Sequence, residues 1–180
     1  MRHTFAVGAA LSLCSGLAAG QIVFESEPND TIATADFAGN FNPLGGAIAI
    51  DGTINAGDVD WFEIDLMAQA TLLLTAVGSP TLGADAQLMV VDGSGTDVIG
   101  FDDDNGPGLL PALQLFDLAA GTYYVGVSGF PDIVFADDPV NTDTLFDGLD
   151  ASGAPHPESF EYKLSVAANL VPTPGVAAVL

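Results

Sequence analysis

Eight short runs with strand chemistry recur along this chain at turn-like spacing, and that rhythm leaves few folds open. They cover residues 47–54, 59–66, 70–77, 86–91, 97–101, 112–118, 122–128 and 160–166. Turn formers stand between them, among them Ser79-Pro80, Asp92-Gly93-Ser94-Gly95, Asn105-Gly106-Pro107-Gly108 and Ala120-Gly121. Each supplies a backbone shape or a local hydrogen bond that reverses the chain. In the last run Phe160, Tyr162, Leu164 and Val166 alternate with Glu161, Lys163 and Ser165, a period of two with one wet face. Only 32–37 and 109–115 compete as short helices. The expectation is an all-β fold, a jelly-roll-like antiparallel β-sandwich of about eight strands. Under the same alternation Trp61 stands with Glu63 and Asp65 on the wet side, as a cap at the sheet end or as a partly exposed ligand platform. Phe62, Ile64 and Leu66 then face the core.

Ahead of these runs, Arg2 and His3 form a short polar segment, residues 5–17 are apolar, and Ala18-Ala19-Gly20 offers small residues for cleavage. That pattern is a secretory signal peptide over 1–20, with Gln21 as the first mature residue. The apolar run is too short to span a membrane. Cys14 lies inside it, so the mature chain has no thiol and no disulfide. Cleavage leaves Lys163 as the one base against 24 acidic residues, a net charge of 1 − 24 = −23. A nucleic-acid interface needs a cationic face, and electrostatic membrane binding needs a basic cluster. Both are excluded, and phosphoryl transfer with Lys or Arg clamps is strongly disfavoured. High net charge is also a known route to solubility in salt.

The acids are not evenly spread. In the leader, Glu25, Glu27 and Asn29 sit at alternate positions, and Asp30 follows. An extended chain puts the first three on one side. Asp58 and Asp60 open the 59–66 run. These five carboxylates would repel one another unless a cation lay among them. One Ca²⁺ takes −5 to −3 and two take it to −1. Carboxylates and an amide oxygen are hard ligands suited to Ca²⁺, and without histidine or cysteine nearby zinc and copper are poor fits. A solvated acidic edge is the other reading. Between 130 and 157 lies an insertion with six aspartates, Asp132, Asp137, Asp138, Asp143, Asp147 and Asp150, and four prolines. It also carries Ile133, Val134, Phe135, Leu145, Phe146 and Leu149. So many large apolar groups point either to packing back onto the sandwich or to a partner-binding patch.

The chain resembles the bacterial pre-peptidase C-terminal domain. The resemblance rests on Glu25-x-Glu27-Pro28-Asn29-Asp30-Thr31, then Gly52-x-Ile54, then Gly57-Asp58-x-Asp60-Trp61-Phe62. It continues through Leu88-Met89-Val90-Val91-Asp92, the Phe101-Asp102-Asp103-Asp104-Asn105-Gly106 turn, the segment 119–127 and Tyr162-Lys163-Leu164-Ser165-Val166. It covers about 25–167. It implies a non-catalytic jelly-roll-like sandwich, domain bounds of 21–168, and a calcium site that some members build from the leader and the start of the sheet. Carried to this sequence, the implied ligands are Glu25, Glu27, Asn29, Asp30, Asp58 and Asp60, with backbone oxygens near Gly52 and Thr53. The acidic insertion departs from the family pattern. The tail, 169–180, contains Val171-Pro172-Thr173-Pro174-Gly175 and then five apolar residues. It resembles the start of a PEP-CTERM sorting signal; a Pro-rich frayed end is the plain reading.

Enzymatic readings fare poorly. The 102–106 turn is no EF-hand, because Pro107 and Gly108 break the loop and Leu113 stands where a bidentate Glu belongs. Ser94 and Ser128 lack the Gly-x-Ser-x-Gly elbow. The one mature histidine, His156, lies between Pro155 and Pro157 and is expected to be exposed. The expectation is a secreted or surface-displayed, non-catalytic, calcium-stabilised module, monomeric. A binding module for extracellular polysaccharide or matrix protein is the alternative, and a secreted hydrolase a distant third.

Overall fold

The computed structural model describes residues 20–42, 45–77, 83–132, 145–150 and 152–170. The proposed signal peptide and tail signal lie outside these residues, apart from Gly20 and the end of β10, as do Ile133, Val134 and Phe135. The strands are β1 (Gln21–Phe24), β2 (Asp36–Phe41), β3 (Gly46–Ile54), β4 (Val59–Leu66), β5 (Ala70–Ala76), β6 (Ala86–Asp92), β7 (Val98–Asp102), β8 (Ala112–Leu118), β9 (Gly121–Gly129) and β10 (Phe160–Leu170). They form two five-stranded sheets, ordered β1-β3-β10-β5-β8 and β2-β4-β9-β6-β7. The result is a β-sandwich.

All eight expected strands are present, and two more precede them. The sheets are mixed rather than purely antiparallel: β1 pairs parallel with β3, and β2 parallel with β4. The 32–37 segment is not a helix. A single 3-10 turn, Ile32–Thr34, leads into β2, and the 109–115 segment enters β8 at Ala112.

Inward-facing residues of both sheets interleave as alternation predicts. Ile50, Ile54, Leu72, Leu74 and Leu164 from the first sheet meet Phe62, Ile64, Leu88, Val90 and Val125 from the second. The second sheet breaks the one-wet-face rule. Its outer residues Val59, Trp61, Met89 and Val91 are buried as well, in a second apolar cluster with Phe146 of the insertion. Ile32, Phe101 and Leu145 pack against that cluster. Trp61 does point outward from β4, yet only 1% of it is exposed. It is neither a ligand platform nor a cap. It lies over its register partner Gly126, where a Cβ would come within 2.9 Å of the indole ring. The Phe146 ring sits 6.3 Å from Trp61 and 6.1 Å from Phe101. For Leu145 and Phe146, packing onto the sandwich is therefore the fact.

A buried polar anchor holds the insertion at both ends. Asp132, fully buried, accepts from the Ser128 hydroxyl at 2.6 Å and the Gly148 N–H at 3.0 Å. Its own N–H donates to Gln87 Oε1 at 2.8 Å. Burial pushes its carboxyl up to about 6. Asp132→Ala strands the Ser128 and Gly148 donors in the interior and should cost about 1–3 kcal/mol. Asp132→Asn keeps an acceptor and should cost less. Urea unfolding of the two variants checks the order, and equal midpoints would show that the donors find other partners.

Candidate metal centre

The leader is a bridge between the sheets. Beyond β1 the Glu25 N–H still donates to Asp51 O at 3.1 Å, in line with the parallel pairing to β3. Four residues later Asn29 O accepts from Trp61 N at 3.0 Å, on β4 of the other sheet. Glu27 is carried across the gap between them. On the β4 side, Asp58 closes its own turn: Asn55 N donates to Asp58 Oδ2 at 3.1 Å, and Asp58 N to Asn55 O at 3.0 Å. Asp60 follows on the inward face, 0% exposed.

The structure brings all six candidate residues together. One carboxylate oxygen each from Glu27, Asp58 and Asp60 lie within 4.8 Å of one another. The fully buried Asn29, with its amide nitrogen turned inward, donates to Glu27 Oε2 at 3.3 Å and Asp60 Oδ1 at 3.2 Å. Glu25 shares a hydrogen bond with Asp60, and Asp30 one with Asp58. Both contacts join two carboxyls and so favour a proton on Asp60 and on Asp30 when no cation is present. Burial, and then the Glu25 contact, push Asp60 up to about 10. Burial and the repulsion of Asp58 raise Glu27, and burial and the Asp58 contact raise Asp30. Among the described residues the one salt bridge is Lys163 to Asp51 at 2.5 Å, so no base neutralises this group.

Three further residues shape the site. The Tyr162 O–H donates to Asp60 Oδ2 at 2.7 Å. Sequence reasoning placed Tyr162 on the core face and missed this role; a hydroxyl on an otherwise apolar face was the only signal. Thr53 meets the site through its N–H, which donates to Glu25 Oε2 at 2.7 Å. At Gly52 a Cβ would collide with the Glu25 carboxylate and the Tyr162 ring. The donors are thus carboxylates and an amide, crowded, partly desolvated and short of positive charge. Such a set suits a hard cation of flexible coordination.

A second carboxylate group, Asp85, Asp103 and Asp104, lies at the β6 and β7 ends, again with oxygens within 4.8 Å. Burial and the charges of Asp104 and Asp85 push Asp103 up to about 6. The turn beside it is self-supporting. Asp102 accepts from Asn105 N at 3.2 Å and Ala112 N at 2.7 Å, as an Asp- and Asn-rich turn does.

Ser128, Asp132 and His156 do meet in the interior, but not as a catalytic triad. The Ser128 hydroxyl donates to Asp132, while His156 Nε2 is paired with the Asp58 carbonyl at 2.9 Å. Ser128 is fully buried, out of a substrate's reach. His156 is also 0% exposed, contrary to the expectation from its flanking prolines. Its N–H bonds Gly148 O and its carbonyl accepts from Gly57 N, each at 3.0 Å, so the insertion's return is stitched beneath the sandwich.

No protein-family model and no curated protein matches the chain. Among solved structures it is similar to the pre-peptidase C-terminal domain of a collagenase from Bacillus anthracis, at 16% identity over 73% of this chain and 93% of that one, TM-score 0.46. It is also similar to PliG of Aeromonas hydrophila, a periplasmic lysozyme inhibitor of g-type lysozyme (15%, 84% and 100%, TM-score 0.47). A third is the Yersinia pseudotuberculosis-derived mitogen (13%, 76% and 96%, TM-score 0.42). Among the described residues no helix is long and apolar enough to cross a membrane.

Proposed function

We propose that the chain is an exported, non-catalytic β-sandwich module whose leader is locked to the sheets by calcium. The observation that carries this reading is the convergence of Glu25, Glu27, Asn29, Asp30, Asp58 and Asp60 around a carboxyl that is wholly buried. Calcium would replace the shared protons of the two carboxyl pairs and tie β1 to β4 through Glu27. Export is supported by the apolar run before Ala18-Ala19-Gly20 and by the start of β1 at Gln21, which makes the first mature residue a strand residue.

A binding role toward extracellular polysaccharide or matrix protein is the second reading. It is favoured by the outer face of the first sheet, where Ala49 pairs with Ser165, Ala47 with Ala167, and Ser165 with Thr75. These positions make a small, uncharged patch at one end of the face, while Asp51, Glu161 and Lys163 stand at the other. A pull-down on glycans and matrix proteins separates the two readings.

Calorimetric titration of the metal-free protein with CaCl₂ tests the first. Binding with release of protons is expected at neutral pH. It should weaken at least tenfold in Glu27→Ala, whose exposed side chain leaves the core untouched. Heat-silent titration of the wild type would overturn the site.

A further inference from the structure

The turn that carries Asp58 is held on two sides. The Asp58 carboxylate faces Glu27 of the leader, and the backbone of the turn faces the insertion. Gly57 N–H donates to His156 O at 3.0 Å, and Asp58 O is paired with His156 Nε2 at 2.9 Å. A carbonyl can only accept, so Nε2 carries the proton and His156 is the donor there. His156 is itself fixed from behind. Its N–H donates to Gly148 O at 3.0 Å, and the Gly148 N–H ends on the buried Asp132 at 3.0 Å. We propose that the returning segment of the insertion positions the metal centre, with His156 as a positioning residue for Asp58, so that calcium binding and docking of the insertion reinforce each other. This rests on the calcium reading and extends it to a segment that supplies none of the six candidate ligands.

The turn needs such a hold. Gly57 precedes Asp58 with a φ of 75°, and glycine restrains its own backbone least of all residues. A swing at that joint would carry the Asp58 carboxylate away from Glu27 and Asp60. The two His156 bonds straddle the joint, one at the N–H of residue 57 and one at the carbonyl of residue 58. The fit is close on the insertion side as well. A Cβ at Gly57 would lie 2.7 Å from Pro155 Cβ, and one at Gly148 would collide with Gly57 O. Backbone meets backbone, so the turn cannot shift without displacing the insertion. A ligand held in place beforehand lowers the ordering cost of binding, and the groups that orient metal ligands commonly matter about tenfold or more to affinity. Linkage makes the effect reciprocal. Whatever factor the docked insertion adds to calcium affinity, calcium adds to the docking.

Both directions are measured on the mature protein with calcium alone as the ligand. Calorimetry gives the affinity, and amide hydrogen exchange read by NMR gives the docking. His156→Phe removes the donor and keeps a buried ring, while His156→Gln returns an amide N–H. The first should weaken calcium about tenfold, and the second should recover most of that loss. Val90→Ala, a core change on β6, should lower Tm yet leave calcium affinity within about twofold, which separates positioning from general loss of stability. In the wild type, calcium should slow exchange about tenfold at the Gly148 and His156 amides. It should also slow Glu25 and Trp61, whose N–H groups flank and hold the leader. In His156→Phe the Glu25 and Trp61 amides should still slow, and Gly148 should not. Slowing confined to Glu25 and Trp61 in the wild type, or an unchanged calcium affinity in a folded His156→Phe, overturns the proposal and leaves the calcium reading standing. No heat and no slowing at any of the four amides removes both. If His156→Phe does not fold, the wild-type exchange pattern decides alone.

Discussion

Metal-free protein is expected to melt higher at pH 5 than at pH 7.5, the reverse of ordinary acid denaturation. A carboxyl raised in the folded state holds a proton there. Its stabilising effect is present below its ordinary value and lost as pH rises through the folded value. Asp103 and Asp132, each pushed up to about 6, lose theirs between about pH 4 and 6, and Asp60, at about 10, goes on losing it beyond neutrality. The net charge of −22 adds self-repulsion in the same direction. Calcium competes with those protons. At a hundredfold excess over Kd it should add about 2.7 kcal/mol at pH 7.5, a rise in Tm of roughly 5–10 °C for a domain of this size. At pH 5 the gain should shrink. Melting scans in EGTA and in millimolar calcium at both pH values check this. Identical curves with and without calcium at pH 7.5 would remove calcium from the account, and a metal-free Tm that climbs with pH would contradict the proton-sharing carboxyls.

Phe146→Ala should be among the most destabilising single changes in the molecule. The ring is buried against Trp61 and Phe101, and deleting such a ring costs about 3–5 kcal/mol where the site does not collapse. Trp61 would then gain water, and its emission should shift to the red in the native state. Denaturant unfolding with fluorescence and circular dichroism reads both effects. A variant with unchanged midpoint and unshifted emission would mean that the end of the insertion rests on the sheet without supporting it.

The strands were legible because eight of them obey alternation and end at turn formers. β1 and β2 were not. The four residues of β1 look like part of the acidic leader, and β2 has a register break between Phe37 and Gly39 that disrupts its period. Parallel pairing leaves no local trace, since it depends on what each edge strand finds beside it. Trp61 was misjudged because alternation reports which face a residue points to, not whether something else covers that face. The same limit hid His156: prolines mark a segment as irregular, whereas its burial comes from distant partners at Asp58, Gly57 and Gly148. The carboxylates of the candidate metal centre were readable as a set, since their spacing and hard-ligand chemistry are local. Tyr162 was not, because it arrives from a strand remote in sequence.

The place of β10 has a consequence for how the molecule is made. It runs between β3 and β5 in the middle of the first sheet, yet it is the last of the described strands in sequence. A chain delivered from its N-terminus, at a ribosome or a secretion channel, can form β3 and β5 early but cannot join them. The first sheet stays in two halves, with unpaired edges facing each other, until residue 170 has emerged. Tyr162 arrives on the same strand, so the buried contact of Asp60 is completed in that final step. Synthesis and assembly are therefore sequential, and the unpaired edges stay exposed for the interval between them.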